Sequence, residues 1–173
     1  MENDGTSSNS LCPEGRISQP TVIRDGQTVI NIGSYIPFYL FVLNNALSRG
    51  SSQYYIDTFG IGIVEWRVIS MLAIEPRIPA SSICQILSLD KASTSRALKR
   101  LHGLSYLEFE ASKADPRRKV WWLNDTGTAL HNRVIVAALK RENRLIKGVK
   151  ADDLETFLNV MRTMKDNIED ISE

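Results

Sequence analysis

Apolar and polar residues change rhythm several times along the chain, and each rhythm predicts an element. Residues 1 to about 20 are rich in Ser, Asn, Gly and Pro without periodicity, which predicts a flexible extension. The next stretch, TVIRDGQTVI, sets two short β-branched runs on either side of Asp25-Gly26, a strong two-residue hairpin signal. A small hairpin and an irregular arm both fit it, because an isolated hairpin is marginal in water. SYIPFYLFVLNNALSRG reads as a helix, with Ser34 as its cap and Pro37 tolerable in its first turn. From Phe38 to Leu43 it is apolar almost all the way round, so more than one side has to be buried. In a chain this short, another subunit is the expected cover for the second side.

GIVEWRVISMLAIEP predicts a second helix ended by Pro76, and PASSICQILSLD a shorter third one with Ile83, Cys84 and Leu87 inward. LDKASTSRALKRL follows as a fourth. HGLSYLEFEAS turns at Gly103 and becomes a strand, RKVWWL is a second strand, and SKADPRR between them is a turn with a basic tip. NDTG opens a long helix through about Lys147, capped by Asn124 or Asp125. In the last segment Asp152 and Glu155 have capping-box spacing. There Leu154, Phe157, Met161, Met164, Ile168 and Ile171 repeat in steps of three and four, a short heptad seam. That seam suits either a partner helix or packing onto its own domain. No internal repeat is evident.

The elements predict a mainly α fold with a small β-wing (α+β). The expected organisation is a flexible extension over 1–33, helical regions over 34–58 and 125–173, and a lobe of helices and wing over 59–124.

Composition narrows the function. At 173 residues and 43% hydrophobic content the chain is long and apolar enough for a core. Its net charge of +1 advertises no polyanion partner, so any nucleic-acid signal has to be local. No apolar run reaches the roughly 18 residues that cross a bilayer, and MENDGTSSNS lacks the regions of a signal peptide. A soluble cytoplasmic protein is expected, with no membrane partner. Cys12 and Cys84 form no disulfide framework, and with His102 and His131 they make no metal-ligand spacing, so neither metal nor cofactor is expected. No phosphate loop, metal motif or nucleophile elbow appears, and an enzyme is not expected.

The local signal lies in LDKASTSRALKRL. On a wheel of about 100° per residue, Thr94, Ala97, Leu98, Leu101 and Leu104 share one arc. Lys91, Ala92, Ser95, Arg96, Lys99 and Arg100 share the other, and Asp90 can cap the first turn. Cations neutralise phosphates, Arg donates twice to a guanine edge, and hydroxyls such as Ser93 and Ser95 bond to several bases. A solvated surface helix is the plain alternative. The helix before it, joined through LSLD, gives helix-turn-helix spacing. The ribbon after it carries Lys113, Arg117, Arg118 and Lys119 with Asp115 as the one acid of its turn. Three neighbouring elements thus point at double-stranded DNA.

These residues resemble the MarR family of bacterial winged-helix regulators from about Tyr35 onward. The most specific pieces are LDKASTSRALKRL, the wing DPR and LNDTG, where Asn124 stands in place of the usual Thr. Pro79 stands where a Thr often opens the third helix. The resemblance implies that Arg117 enters the minor groove and that Asp115 shapes the wing by pairing with an Arg. It implies a winged helix-turn-helix with N- and C-terminal dimerisation helices, the dimerisation region over 34–58 and 125–173 and the winged helix-turn-helix DNA-binding lobe over 59–124, forming a homodimer bound to a pseudo-palindromic operator, usually as a repressor. It also implies a small-molecule effector between dimer helices and winged lobe, commonly an aromatic or phenolic acid or its CoA thioester. The candidates here are Tyr35, Tyr39, Trp66, Arg67 and His131: Arg67 would pair a carboxylate, and Tyr39 and Trp66 would stack on a ring. Trp66 in the core, Arg67 in an internal ion pair, and Tyr35 and Tyr39 in the dimer interface are the competing roles. A winged-helix module that binds protein, and a redox-responsive regulator, are the alternatives. The redox branch keeps a Cys at the start of the first dimer helix, where this chain has none.

Overall fold

The computed structural model describes residue 13 and residues 15–111 and 118–171. The chain forms two compact units, residues 1–63 and 64–173.

The first unit holds a hairpin and a long helix. Strands β1 (Thr21–Arg24) and β2 (Gln27–Ile30) pair antiparallel, with Val22 opposite Val29 and Arg24 opposite Gln27. Of the two readings of this stretch, the hairpin is the one adopted. Asp25 (φ 51°) and Gly26 (φ 76°) both take the left-handed backbone that such a two-residue turn requires. Asn31 ties the hairpin to the helix: its side-chain amide donates to the Gln19 carbonyl at 3.2 Å, and its carbonyl accepts from the Ser34 and Tyr35 amides. Helix α1 (Ile36–Phe59) is longer than SYIPFYLFVLNNALSRG suggested, running through Gly50 to a left-handed Gly60. Its cap position is Tyr35, without a side-chain cap, so Ser34 does not serve as one. Ser34 lies one residue too early, and its hydroxyl accepts from Asn31 instead. The residues from Phe38 to Leu43 are all exposed.

The second unit begins with α2 (Ile63–Ile74). Strand β3 (Ile78–Pro79), α3 (Ala80–Leu87), α4 (Lys91–Gly103), β4 (Leu107–Ala111), β5 (Lys119–Leu123), α5 (Asp125–Leu145) and α6 (Ala151–Ile171) follow. The wing is a three-stranded sheet of order β3-β5-β4, where the sequence predicts two strands. The extra strand is only two residues long, and Pro79 lacks an amide, so it carries no periodicity to read. It is held by the Ile78–Trp121 pairing and the Arg77 amide on the Trp121 carbonyl. One core joins Val68, Ile69 and Leu72 of α2, Ile83 of α3, Leu98 and Leu101 of α4, Leu107 of β4 and Val134 of α5, each 2% exposed or less.

Helix ends follow local chemistry. Asn124 caps α5 by accepting from the Gly127 amide at 2.9 Å. After α4 the left-handed residue is Ser105 (φ 60°), not Gly103. Leu104 leaves the buried arc of the wheel because it lies beyond the helix end, 45% exposed. Helix α6 begins at Ala151, so Asp152 falls inside its first turn, where it and Asp153 complement the helix dipole rather than forming a capping box. Among the described side chains of α6 none is buried; Leu154, Met161 and Met164 are half-buried, and Phe157 and Ile168 are exposed.

Candidate nucleic-acid interface

Helix α4 exists because its cap and its back are both satisfied. The Asp90 carboxylate accepts from the Ser93 amide at 2.8 Å, closing the first turn. Hydrogen bonds from the Ser93 hydroxyl and amide hold that carboxyl below its ordinary value of 3.8. The back packs Thr94, Ala97, Leu98 and Leu101 at 2% exposure or less, and the Thr94 hydroxyl is satisfied by the Asp90 carbonyl at 3.1 Å. The front leaves Lys91, Ala92, Ser95, Arg96, Lys99 and Arg100 exposed, with Ser93 half-buried. Burial therefore divides α4 along the line that the residue wheel drew.

Helix α3 sets the angle of presentation. Its C-cap, Ser88, is left-handed (φ 50°), and its amide returns to the carbonyl of Gln85. Leu89 then bonds back to Cys84, which turns the chain directly into the cap of α4. A short helix, a tight turn and a second helix result.

The front residues differ in how they are held. Arg96 donates to the Ser93 hydroxyl at 2.9 Å, which steadies its guanidinium over the first turn of the helix. Lys91 and Lys99 stand two turns apart and, with Ser95, line one wall of a groove of about 1070 Å3. Arg118 and Lys119 line the same groove from the sheet, while Pro79, Val120 and Trp121 supply apolar lining. The Lys119 ammonium lies 3.8 Å from the centre of the Phe109 ring, a cation–π position that keeps its charge near the groove. Glu110, the acid among these lining residues, pairs with Arg77 at 3.1 Å. Arg100 is different: its guanidinium lies 3.3 Å from the Glu65 carboxylate at the start of α2. Of the wing candidates, Arg118 is exposed; Lys113, Asp115 and Arg117 lie outside the described residues, as does Cys12.

The effector candidates are brought together in part. Trp66 and His131 stack, with ring centres 5.6 Å apart and planes at 27°, joining α2 to α5. Both are half-buried, as is Arg67. Tyr35 and Tyr39 are one turn apart at the start of α1 in the first unit, and both are exposed. Cys84 is a half-buried free thiol in the groove wall. Among the described residues no group of His, Cys, Asp and Glu could hold a metal ion, and no helix is long and apolar enough to cross a membrane.

Sequence reasoning missed Glu65, Arg77 and Glu110. Each acts through a partner more than 30 positions away, and no local pattern reveals such a pairing. The sequence shows Lys119 as a wing charge; its place two positions before Trp121 on β5, with Phe109 opposite Trp121, is the signal for its ring contact.

Residues 59–118 match the model of the MarR family. Among solved structures, a MarR/EmrR family transcriptional regulator from Acinetobacter sp. ADP1 is 29% identical, with 82% of this chain and 99% of that one covered at a TM-score of 0.75. PcaV, a transcriptional regulator from Streptomyces coelicolor solved with its natural ligand, is 18% identical, with 81% and 98% covered at 0.68. FabT from Streptococcus pneumoniae, solved in complex with DNA, is 18% identical, with 79% and 96% covered at 0.62. The search of curated proteins finds no match.

Proposed function

We propose that this chain is a transcriptional regulator of the MarR family rather than an enzyme. It binds a pseudo-palindromic duplex operator as a homodimer, represses by occupying the site, and is released by a small aromatic or phenolic acid or its CoA thioester. The observation that carries the DNA reading is the split along α4, where a fully buried apolar back fixes a front bearing Lys91, Ser95, Arg96 and Lys99. A helix about 10–12 Å across fits the major groove of B-DNA. There Lys91 and Lys99 neutralise phosphates, Arg96 reads a base edge, and Ser93 and Ser95 add hydroxyl contacts. On the wing, Arg118 takes the flanking backbone, and Lys113, Asp115 and Arg117, outside the described residues, are assigned to the backbone and minor-groove contacts from the sequence resemblance.

Two copies are needed because one copy leaves too much apolar surface open. Phe38, Tyr39, Phe41 and Leu43 on α1, and Phe157, Leu158 and Ile168 on α6, form exposed stretches of the kind that mark association sites. A twofold dimer would set two α4 fronts about one helical turn of DNA apart. For the effector, the Trp66–His131 stack offers aromatic surface and Arg67 a cation for a carboxylate, while Tyr35 and Tyr39 of the first unit are ring-bearing candidates on the sequence alone. The ligand-bound relative PcaV and the DNA-bound relative FabT support both halves of the reading.

The test is duplex selection from a random library followed by binding across a salt series. Operator affinity is expected to fall linearly in log–log form as salt rises, with a slope set by the phosphates contacted. Retention of no duplex, or a salt-independent affinity, removes the DNA reading and leaves the protein-binding module. Calorimetric titration with benzoates, hydroxycinnamates and their CoA thioesters tests the effector; silence across that panel removes it.

A further inference from the structure

Among the described residues, Arg100 is the cation on the front of α4 that pairs with a carboxylate. Its Nη1 lies 3.3 Å from Oε1 of Glu65, and the two residues are 35 positions apart in sequence. The pair is asymmetric: the Glu65 side chain is only 14% exposed, whereas that of Arg100 is 49% exposed. The largely covered carboxylate is the more constrained of the two, and the half-exposed arginine reaches to it. Glu65 lies in the first turn of α2, where the helix dipole favours its charge. The acid is thus held in place beside a helix surface that otherwise displays positive charge. An internal carboxylate and a DNA phosphate ask the same thing of an arginine, a fork of N–H donors directed at two oxygens.

We propose that Glu65 is an internal stand-in for a DNA phosphate, which withholds Arg100 from the duplex and so sets how strongly, and with what salt sensitivity, α4 binds. This rests on the reading of α4 as the DNA-binding helix. It revises the place of Arg100, which the sequence alone puts among the direct contacts. Lys91, Arg96 and Lys99 bind the duplex, while Arg100 is spent on α2. The pair also fixes the rotation of α4 about its axis, because α2 is anchored in the core through Val68, Ile69 and Leu72.

The experiment measures duplex affinity against salt for the full chain and for Glu65→Gln, Arg100→Ala and the double variant, with a thermal melt confirming that each is folded. Glu65→Gln keeps the shape of the side chain and removes its charge. It is expected to bind several-fold tighter at low salt, with the log–log slope steeper by about 0.9, the value of one added phosphate contact. Arg100→Ala alone is expected to leave the slope unchanged, and adding it to Glu65→Gln should return the slope to that of the parent. A slope that is unchanged or shallower in Glu65→Gln overturns the proposal. So does a slope reduced by one contact in Arg100→Ala alone, and that single measurement decides the matter if Glu65→Gln does not fold. Failure of the DNA reading looks different: the parent chain itself then shows no salt-dependent duplex binding.

Discussion

The helices of this chain use their apolar residues in two ways. On α4 four consecutive inward positions, Thr94, Ala97, Leu98 and Leu101, are sealed, and the remaining surface is polar or charged. On α1 the apolar residues are more numerous and more consecutive, yet Phe41 is 61% and Tyr39 60% exposed. The difference is one of periodicity rather than hydrophobicity. A stripe repeating every three or four residues can be satisfied by one neighbouring layer, and the lobe supplies that layer from α2, α3 and the sheet. A helix that is apolar on every side needs cover from several directions, which its own chain does not complete. The lobe is finished by folding, and α1 and α6 are finished, in the proposed dimer, by association.

Substitutions can break this contrast. The largest effect is expected at the sealed arc: Leu101→Ala should destabilise the protein by about 3–4 kcal/mol through lost burial and the cavity left behind, read as a lowered denaturation midpoint. Phe41→Glu, on the open helix, should leave the lobe folded and instead weaken self-association on the order of a hundredfold, or about 2–3 kcal/mol. Sedimentation across a concentration series reads that change. If Phe41→Glu unfolds the chain without altering its assembly, the division between sealed and open helices is wrong. Asn124→Ala removes the cap of α5 and should cost about 1 kcal/mol, detectable as a small shift of the melt.

The smallest effect sharpens the picture at the α4 cap. Asp90 titrates below its ordinary value because Ser93 donates to its ionised form. Its contribution is therefore present in full above pH about 4 and is lost as pH falls through the lowered folded value. Asp90→Asn, which keeps the cap acceptor without the charge, should flatten the acid limb of stability against pH while leaving the neutral melt nearly unchanged.

The sequence made the lobe legible because its signals there are local. The wheel of α4, the Asp90 cap and the Asn124 cap each depend on near neighbours in sequence, as does the Asp25-Gly26 turn of the first unit. Features that depend on distant partners were not legible. Strand β3 is defined by its pairing with Val120 and Trp121 of β5, and Glu65 finds Arg100 only once α2 and α4 are packed. Ser34 and Asp152 show a different gap: each is a sound capping residue, but the position of a helix start by one or two residues is settled by competing bonds, here those of Asn31 and Lys150. The same holds for the site. Lys91, Ser95, Arg96 and Lys99 were visible as one face, whereas the stacking of His131 on Trp66 required the fold to bring α5 onto α2.

Gly127 has a wider consequence. A methyl group there would run into the Tyr106 carbonyl, and beside it Asn124 and Thr126 both donate to the Ser105 carbonyl, at 2.9 and 2.5 Å. The end of α4 and the entry of α5 thereby meet through backbone and cap contacts at the Ser105–Tyr106 turn. A displacement of α5 is expected to carry that turn, and the end of α4 with it.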